Sequence, residues 1–268
     1  MTTILITGST AGLGRALAAR VADAGATVLV HGRDPGKVAR AAAEVGGIAL
    51  VADLSSMDAV RALAAEVRSR TDRLDVLVNN AGLGGGPQTQ GRQLSPDGYE
   101  LRFAVNYLAT FLLTQELLPL LRAAAPARVV HVASRGQTPL DFADLMLERG
   151  YAGRRAYNQS KLAQIMAGFE LAGRVPPDAV TVNSLHPATL MPTKLVAEGY
   201  GQTQDELGTG VAATARLVLD PALAGVTGRF FDRQREARAD RQAYDPAARA
   251  ELWRRSLELT GAPDTPAG

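Results

Sequence analysis

The sequence predicts a single α/β domain built on one doubly wound parallel sheet of about seven strands, with helices on both faces. Three observations lead there. Short β-branched runs alternate with helix-patterned stretches from residue 3 to about residue 231. That is the signature of repeated strand–helix–strand units, and so of a parallel sheet. The first strand runs directly into a glycine-rich turn and then a helix. The chain has 268 residues, enough for one large α/β domain, with no repeat or linker dividing it.

Composition narrows the function classes. Hydrophobic residues make up 46% and charged residues 21%, the balance of a globular protein with a sizeable core. The 29 basic and 27 acidic residues leave a net charge of +2, too even to predict nucleic acid or an anionic membrane surface as partner. There are no cysteines, which excludes disulfides, thiolate metal sites and thiol nucleophiles. The opening Met-Thr-Thr-Ile-Leu-Ile-Thr-Gly reads as a strand, and no window approaches the ~20 apolar residues of a membrane span. The expectation is a soluble cytoplasmic protein with no membrane contact. His31, His131 and His186 lie near the ends of three different strands without ligand spacing, so no metal site is expected.

Thr3 to Thr7 is the first strand. It ends in Gly8-Ser9-Thr10-Ala11-Gly12-Leu13-Gly14, and Arg15 to Ala24 has helix composition. Strand, glycine turn and helix in direct succession give the context of a Rossmann-type dinucleotide fingerprint, here spaced Gly-x-x-x-Gly-x-Gly. Gly8 permits the tight turn, Gly12 lets backbone approach a pyrophosphate, and Gly14 lets helix and strand pack closely. The free N–H groups of the helix start would hold the anion. Ala26 to Val30 is the second strand. Its tip carries His31, Gly32 and Arg33, not a carboxylate. A guanidinium there suits a ribose 2′-phosphate, so NADP(H) is expected over NAD(H); Arg15 is a second candidate for that phosphate.

Pro35 to Val45 forms a helix with proline near N1. Ile48 to Val51 is the third strand and leads to Asp53-Leu54. Ser56 to Arg70 is helical, Leu74 to Val78 is the fourth strand, and Asn79-Asn80-Ala81-Gly82 follows at once. Leu83 to Pro96 reads as an exposed loop near the cleft mouth. Ser95-Pro96-Asp97 signals the start of a long helix over 97–122, with Asn106 inside its apolar run. Ala127 to Ala133 is the fifth strand, ending at Ser134.

Residues 135–155 lack clear periodicity and are expected to hold one helical turn near 140–147. A helix over 156–173 carries Tyr157 and Lys161. Four residues apart, their side chains lie on one face, one turn from each other. An ammonium beside a phenol lowers the phenol pKa from its usual ~10. That pairing suits proton exchange with a carbonyl or alcohol oxygen. Ala179 to Leu185 is the sixth strand, followed by His186-Pro187-Ala188-Thr189. Residues 190–205 read as a mobile lid whose Met191 and Leu195 are the expected substrate contacts. A helix over 206–219, a last strand over 227–231, a charged solvated stretch over 233–241, a helix over 246–259 and a frayed tail over 262–268 complete the chain.

Together Thr7-Gly8-x-x-x-Gly12-x-Gly14, Asp53-Leu54, Asn79-Asn80-Ala81-Gly82, Asn106, Ser134 and Tyr157-x-x-x-Lys161 resemble the motif set of the short-chain dehydrogenase/reductase family, in order and over essentially the whole chain. Gly32-Arg33-Asp34, the 23-residue interval from Ser134 to Tyr157 and the late Leu252-Trp253 helix resemble its retinol-dehydrogenase-like branch. The resemblance implies an NADP(H)-dependent enzyme acting on a small carbonyl or alcohol substrate. It implies a catalytic set of Asn106, Ser134, Tyr157 and Lys161. Ser134 would hold the substrate oxygen, Tyr157 would act as general acid/base, Lys161 would tune Tyr157 and hold the nicotinamide ribose, and Asn106 would order a water beside Lys161.

For the cofactor, the resemblance implies Gly8, Ser9, Thr10, Gly12, Leu13 and Gly14 at the pyrophosphate, Arg33 at the adenosine ribose and Asp53 with Leu54 at the adenine. Asn80, Ala81 and Gly82 would lie beside the ribose, with Pro187 and Thr189 at the carboxamide. The usual Pro-Gly after the sixth strand is Pro187-Ala188 here, which leaves Thr189 and Thr193 both open for the carboxamide. A homodimer or homotetramer through the long helix and the Tyr157 helix is expected. Two other outcomes fit the same fold: a redox-assisted epimerase or dehydratase, and a catalytically idle NADP-binding sensor.

Overall fold

The computed structural model describes residues 2–87, 91–193, 196–197 and 201–265. Its sheet contains β1 (Thr3–Ile6), β2 (Thr27–Gly32), β3 (Ile48–Val51), β4 (Val76–Asn79), β5 (Ala127–Val132), β6 (Val180–His186), β7 (Arg229–Asp232) and β8 (Arg235–Ala237). The spatial order is β3-β2-β1-β4-β5-β6-β7-β8. Every pairing is parallel except β7 with β8, where Phe231 faces Glu236. The seven parallel strands match the expectation. The eighth corrects it, because residues 235–237 lie within the stretch expected to be only solvated. A three-residue Arg-Glu-Ala strand has no alternating apolar face to reveal it, and its charges suit a sheet edge.

Chain order reverses between β1 and β4. The crevice outside the carboxyl ends of those strands is the topological switch point where such sheets bind ligands. The helices are α1 (Gly12–Ala22), α2 (Pro35–Val45), α3 (Met57–Arg70), α4 (Leu101–Ala123), α5 (Gly153–Arg174), α6 (Leu207–Leu219) and α7 (Pro246–Thr260). Alternation along each strand feeds two cores. Leu5, Leu29, Leu77 and Val129 join α3, α4, α5 and α7 on one face. Ile4, Ile6, Val30, Val78 and Val130 join α1, α2 and α6 on the other.

Local signals explain several boundaries. Asp34 caps α2 by accepting from Lys37 N at 2.9 Å, with Pro35 next, and Gly46 closes it at φ 59°. Ser56 caps α3. The expected start of the long helix at Asp97 is corrected to Leu101. Gly98 sits at φ 83° in a turn closed by Gly98 N to Ser95 O, and Asp97 instead accepts from Met57 N at the start of α3. Glu100 caps α4 by accepting from Phe103 N at 2.7 Å. The expected helical turn within 140–147 is absent; that stretch is made of turns, one with Leu147 at φ 49°.

Leu101–Ala123 is long and apolar enough to cross a membrane by length and composition, contrary to the expectation for this chain, but 89% of its apolar window is buried in the protein core. α7 lies across α4 and α5. Trp253 meets Phe111 edge-on at 5.0 Å between ring centroids, and the Arg174 guanidinium stacks 4.4 Å over the same indole. The faces of α4 and α5 expected to form a subunit interface are therefore covered where α7 lies on them. The tail expected to fray is packed as far as it is described: Trp253 Nε1 donates to Asp264, and Thr265 donates to Gln115 and accepts from Arg174 through its carbonyl.

Candidate active site

The glycine turn forms because β1 delivers Gly8 and Gly12 at φ 66° and 53°, the left-handed region closed to most side chains. A Cβ on Gly8 would lie 2.9 Å from Ala81 Cα, and one on Gly14 would strike Gly8 O and Asn80 Nδ2. The ends of β1 and β4 thus touch backbone to backbone. Thr7 Oγ1 accepts from the N–H groups of Asn80 and Ala81 at 3.0 Å each, and Asn80 Nδ2 donates to Thr7 O at 2.8 Å and to Gly8 O at 3.2 Å. Asn80, expected beside a ribose, directs its amide nitrogen at the turn itself. Ala11, the residue before α1, makes no side-chain cap, and the first helical turn has no acidic residue. Its N–H groups are left for an anion, as a pyrophosphate requires.

His31 was not singled out for this turn, yet it fixes it. Gly8 N donates to His31 Nδ1 at 3.2 Å, so Nε2 carries the proton and donates to Ala52 O at 3.2 Å. Burial lowers the His31 pKa to about 4 and keeps the ring neutral. Ser9, expected at the phosphates, is fully buried and donates to Ile6 O. A Cβ on Gly32 would lie 2.6 Å from Thr10 Cγ2, so the turn and the β2 tip need that glycine. Arg33 is exposed and makes no hydrogen bond or ion pair to a described residue, whereas Arg15 is held by both oxygens of Glu44 at 2.8 and 2.7 Å. Asp53 is exposed, with Oδ1 accepting from Ser55 N, while Leu54 is buried in the core.

Asn106 and Lys161 come together at Gly82, beyond the end of β4, and Ser134 lies just past the end of β5. Residues 104–108 of α4 form a π-helical turn that carries Asn106 inward. Asn106 Oδ1 accepts from Leu83 N at 2.7 Å, and Nδ2 donates to Leu83 O at 3.0 Å and Ser160 Oγ at 2.9 Å. Ser160 Oγ in turn donates to Tyr157 O. A Cβ on Gly82 would lie 3.2 Å from Asn106 Oδ1 and 3.4 Å from Lys161 Nζ, so the β4 end touches both. Lys161 Nζ donates to Val132 O at 2.7 Å, and burial lowers its pKa to about 8. Ser134 Oγ accepts from Gly136 N, and Gly136 abuts Asn158, the residue after Tyr157. Tyr157 is 9% exposed.

Around the segment after β6, Thr189 N donates to Asp205 Oδ2 at 2.7 Å and its hydroxyl meets Arg233 and His186. Arg233 also binds Asp205 and holds φ 55°. Thr193 lies beside Gly12, 3.2 Å from where a Cβ would be. Pro187 is buried at the end of β6. Met191, expected to face substrate, is 9% exposed and lies beside Leu13 and Gly210. Leu195 lies outside the described residues. No group of three or more metal-ligating side chains occurs among the described residues.

Sequence reasoning missed a second buried network. Arg102 donates to the carbonyls of Gly84 and Gly85 and to Tyr151 OH, and Tyr151 donates to Glu100. It anchors the loop after Gly82 to the chain before α5. The one available signal was a Glu-x-Arg pair at the head of an otherwise apolar helix.

A family model described as short chain dehydrogenase matches residues 2–203. Mouse retinol dehydrogenase 14 is 34% identical, covering 97% of this chain and 86% of the relative. Human retinol dehydrogenase 13 is 32% identical, covering 97% and 84%. Among solved structures, an uncharacterized protein from Mycobacterium paratuberculosis superposes with TM-score 0.76 at 30% identity over 99% of this chain and 95% of that one. A 3-ketoacyl-(acyl-carrier-protein) reductase from Brucella melitensis complexed with NADH gives 0.70 at 27% identity, covering 86% and 96%. The Pseudomonas aeruginosa RhlG/NADP active-site complex gives 0.71 at 27% identity, covering 86% and 94%.

Proposed function

We propose that this chain, which belongs to the short-chain dehydrogenase family and to its retinol-dehydrogenase-like branch, is an NADP(H)-dependent oxidoreductase that interconverts a carbonyl and a secondary alcohol of a small apolar substrate, with Tyr157 as acid/base. The observation that carries the reading is the meeting of Gly82, Asn106 and Lys161 one helical turn from Tyr157, at the carboxyl ends of β4 and β5.

The glycine turn fits a dinucleotide, since side chains are excluded where a pyrophosphate would pass and the α1 N–H groups have no side-chain cap. When bound, the nicotinamide supplies or accepts the hydride. This chain's residues do the rest. Lys161 pays a desolvation penalty for its charge, and a phenolate at Tyr157 would offset that penalty. By the same coupling, the ammonium favours ionised Tyr157. Tyr157 can therefore give its proton to a carbonyl oxygen near neutral pH or take one from an alcohol, while Ser134 donates to the same oxygen.

NADP(H) rests on Arg33, an unpaired guanidinium at a strand tip with no carboxylate. Residues 190–205 act in this reading as a substrate lid hinged at one neck, where Gln204 N donates to Leu190 O and Asp205 N to Thr189 O. A homo-oligomer would form through faces that α7 leaves open.

The test is a screen of NADPH consumption with ketones, aldehydes and quinones, followed by Tyr157→Phe on the best substrate. Turnover is expected to fall by about 10²–10⁴-fold with NADPH binding retained; a fully active variant sinks the assignment.

A further inference from the structure

Lys161 is 4% exposed, and its ammonium donates to Val132 O at 2.7 Å and to Gln164 Oε1 at 3.4 Å. An ammonium has three donors to satisfy. Gln164 lies three residues further along α5, on the same face. It is 1% exposed, and its Nε2 has no hydrogen-bond partner among the described residues. Beside it is a small pocket of about 10 Å³, lined by Gln164 together with Thr110, Thr114, Gln115, His131 and Trp253. Those side chains are all buried. The space is that of about one water, and the threonine hydroxyl oxygens offer acceptors to complete its bonding.

We infer that Gln164 is a positioning residue for Lys161. Its carbonyl oxygen holds the ammonium at the end of β5 and steadies the charge. Its amide nitrogen is fixed through a water in the pocket that Trp253 of α7 helps to line.

Among the described residues, the titratable groups nearest Lys161 are Tyr157, one turn earlier on its own helix, and His131 on β5, whose pKa the Lys161 charge lowers. α4 and the β4 end present Asn106 and Gly82, which carry no charge. His131 Nδ1 meets Asn79 Nδ2, and burial and the Lys161 charge hold the ring neutral. No carboxylate contributes to the Lys161 shift, which arises from burial. Val132 accepts through its backbone, so Gln164 is the acceptor of Lys161 whose side chain can be changed to tune the charge. Only the catalytic consequence of this inference rests on the acid/base reading of Tyr157.

The chain has three lysines, at 37, 161 and 194, so side-chain lysine NMR of the protein without cofactor can follow Lys161, assigned by loss of its signal in Lys161→Arg. The wild-type midpoint is expected at about 8. Gln164→Met is expected to lower it by about one unit, and Gln164→Glu to raise it by about 1–3 units. A merely structural role would not move the midpoint in opposite directions. Should the Met variant fail to fold, the Glu variant carries the test alone. An unmoved midpoint in a folded variant overturns the inference, as does a high-resolution crystal structure in which Gln164 Nε2 meets no water in the pocket. The alkaline limb of NADPH turnover should move with the NMR midpoint. If the midpoint moves and the limb does not, the positioning stands and the acid/base reading of Tyr157 falls.

Discussion

The carboxamide of Asn106 pairs with both backbone groups of Leu83, accepting from its N–H at 2.7 Å and donating to its carbonyl at 3.0 Å. A side chain from the middle of α4 thus stands in for a neighbouring strand at the point where the chain leaves β4. The π turn at 104–108 is what aims it there.

Replacing Asn106 by Leu removes both bonds and leaves the half-buried N–H and C=O of Leu83 without that partner. The expected loss is on the order of 3 kcal/mol, read as a lower urea midpoint with an unchanged m-value. A variant as stable as the wild type would show that the Leu83 segment finds other partners.

Arg33→Ala should raise the NADPH KM by about 10- to 100-fold, the worth of a charge-assisted hydrogen bond or two, and leave the NADH KM nearly unchanged. Arg15→Ala should alter neither, because Arg15 is engaged by Glu44. Equal effects of Arg33→Ala on both cofactors would remove the NADP preference.

His31 makes stability depend on pH. Its pKa is about 4 in the folded protein against 6.5 unfolded, so the unfolded chain binds the proton more readily. The stabilisation is fully present above about pH 6.5 and is lost as pH falls toward 4, by on the order of 3 kcal/mol. Protonation of the folded protein also puts a donor at Nδ1 against Gly8 N–H, so dinucleotide affinity should weaken only as pH falls through about 4. In His31→Gln, the unfolding free energy should vary less between pH 6.5 and 4 than in the wild type.

Trp253→Ala should destabilise the protein by about 3–5 kcal/mol, measured by chemical denaturation. The indole is 3% exposed and joins Phe111, Arg174 and Asp264. A loss below ~1 kcal/mol would show that α7 contributes little to the core.

What the sequence made legible was local. Pro35 and Gly46 bracket α2, and Gly8, Gly12 and Gly14 announce a turn because no other residue type fits there. Tyr157 and Lys161 share a face because helical geometry is fixed. Pairings distant in the chain left no such trace. Tyr151 reaches Glu100 across 51 positions, and His31 serves Gly8 from a neighbouring strand. Asp97 misled because an acidic residue after Ser-Pro suits a helix start, and here it caps a different helix.

α7 and the residues just beyond it complete a core whose other walls are all made earlier in the chain. During synthesis, α4 and α5 emerge with the Phe111 face bare, and it stays bare until residues near Trp253 leave the ribosome. The pocket beside Gln164 gains its Trp253 wall at the same late moment. A nascent chain stopped before α7 would thus present an uncovered apolar surface to chaperones, and the pocket beside Gln164 would still lack its Trp253 wall.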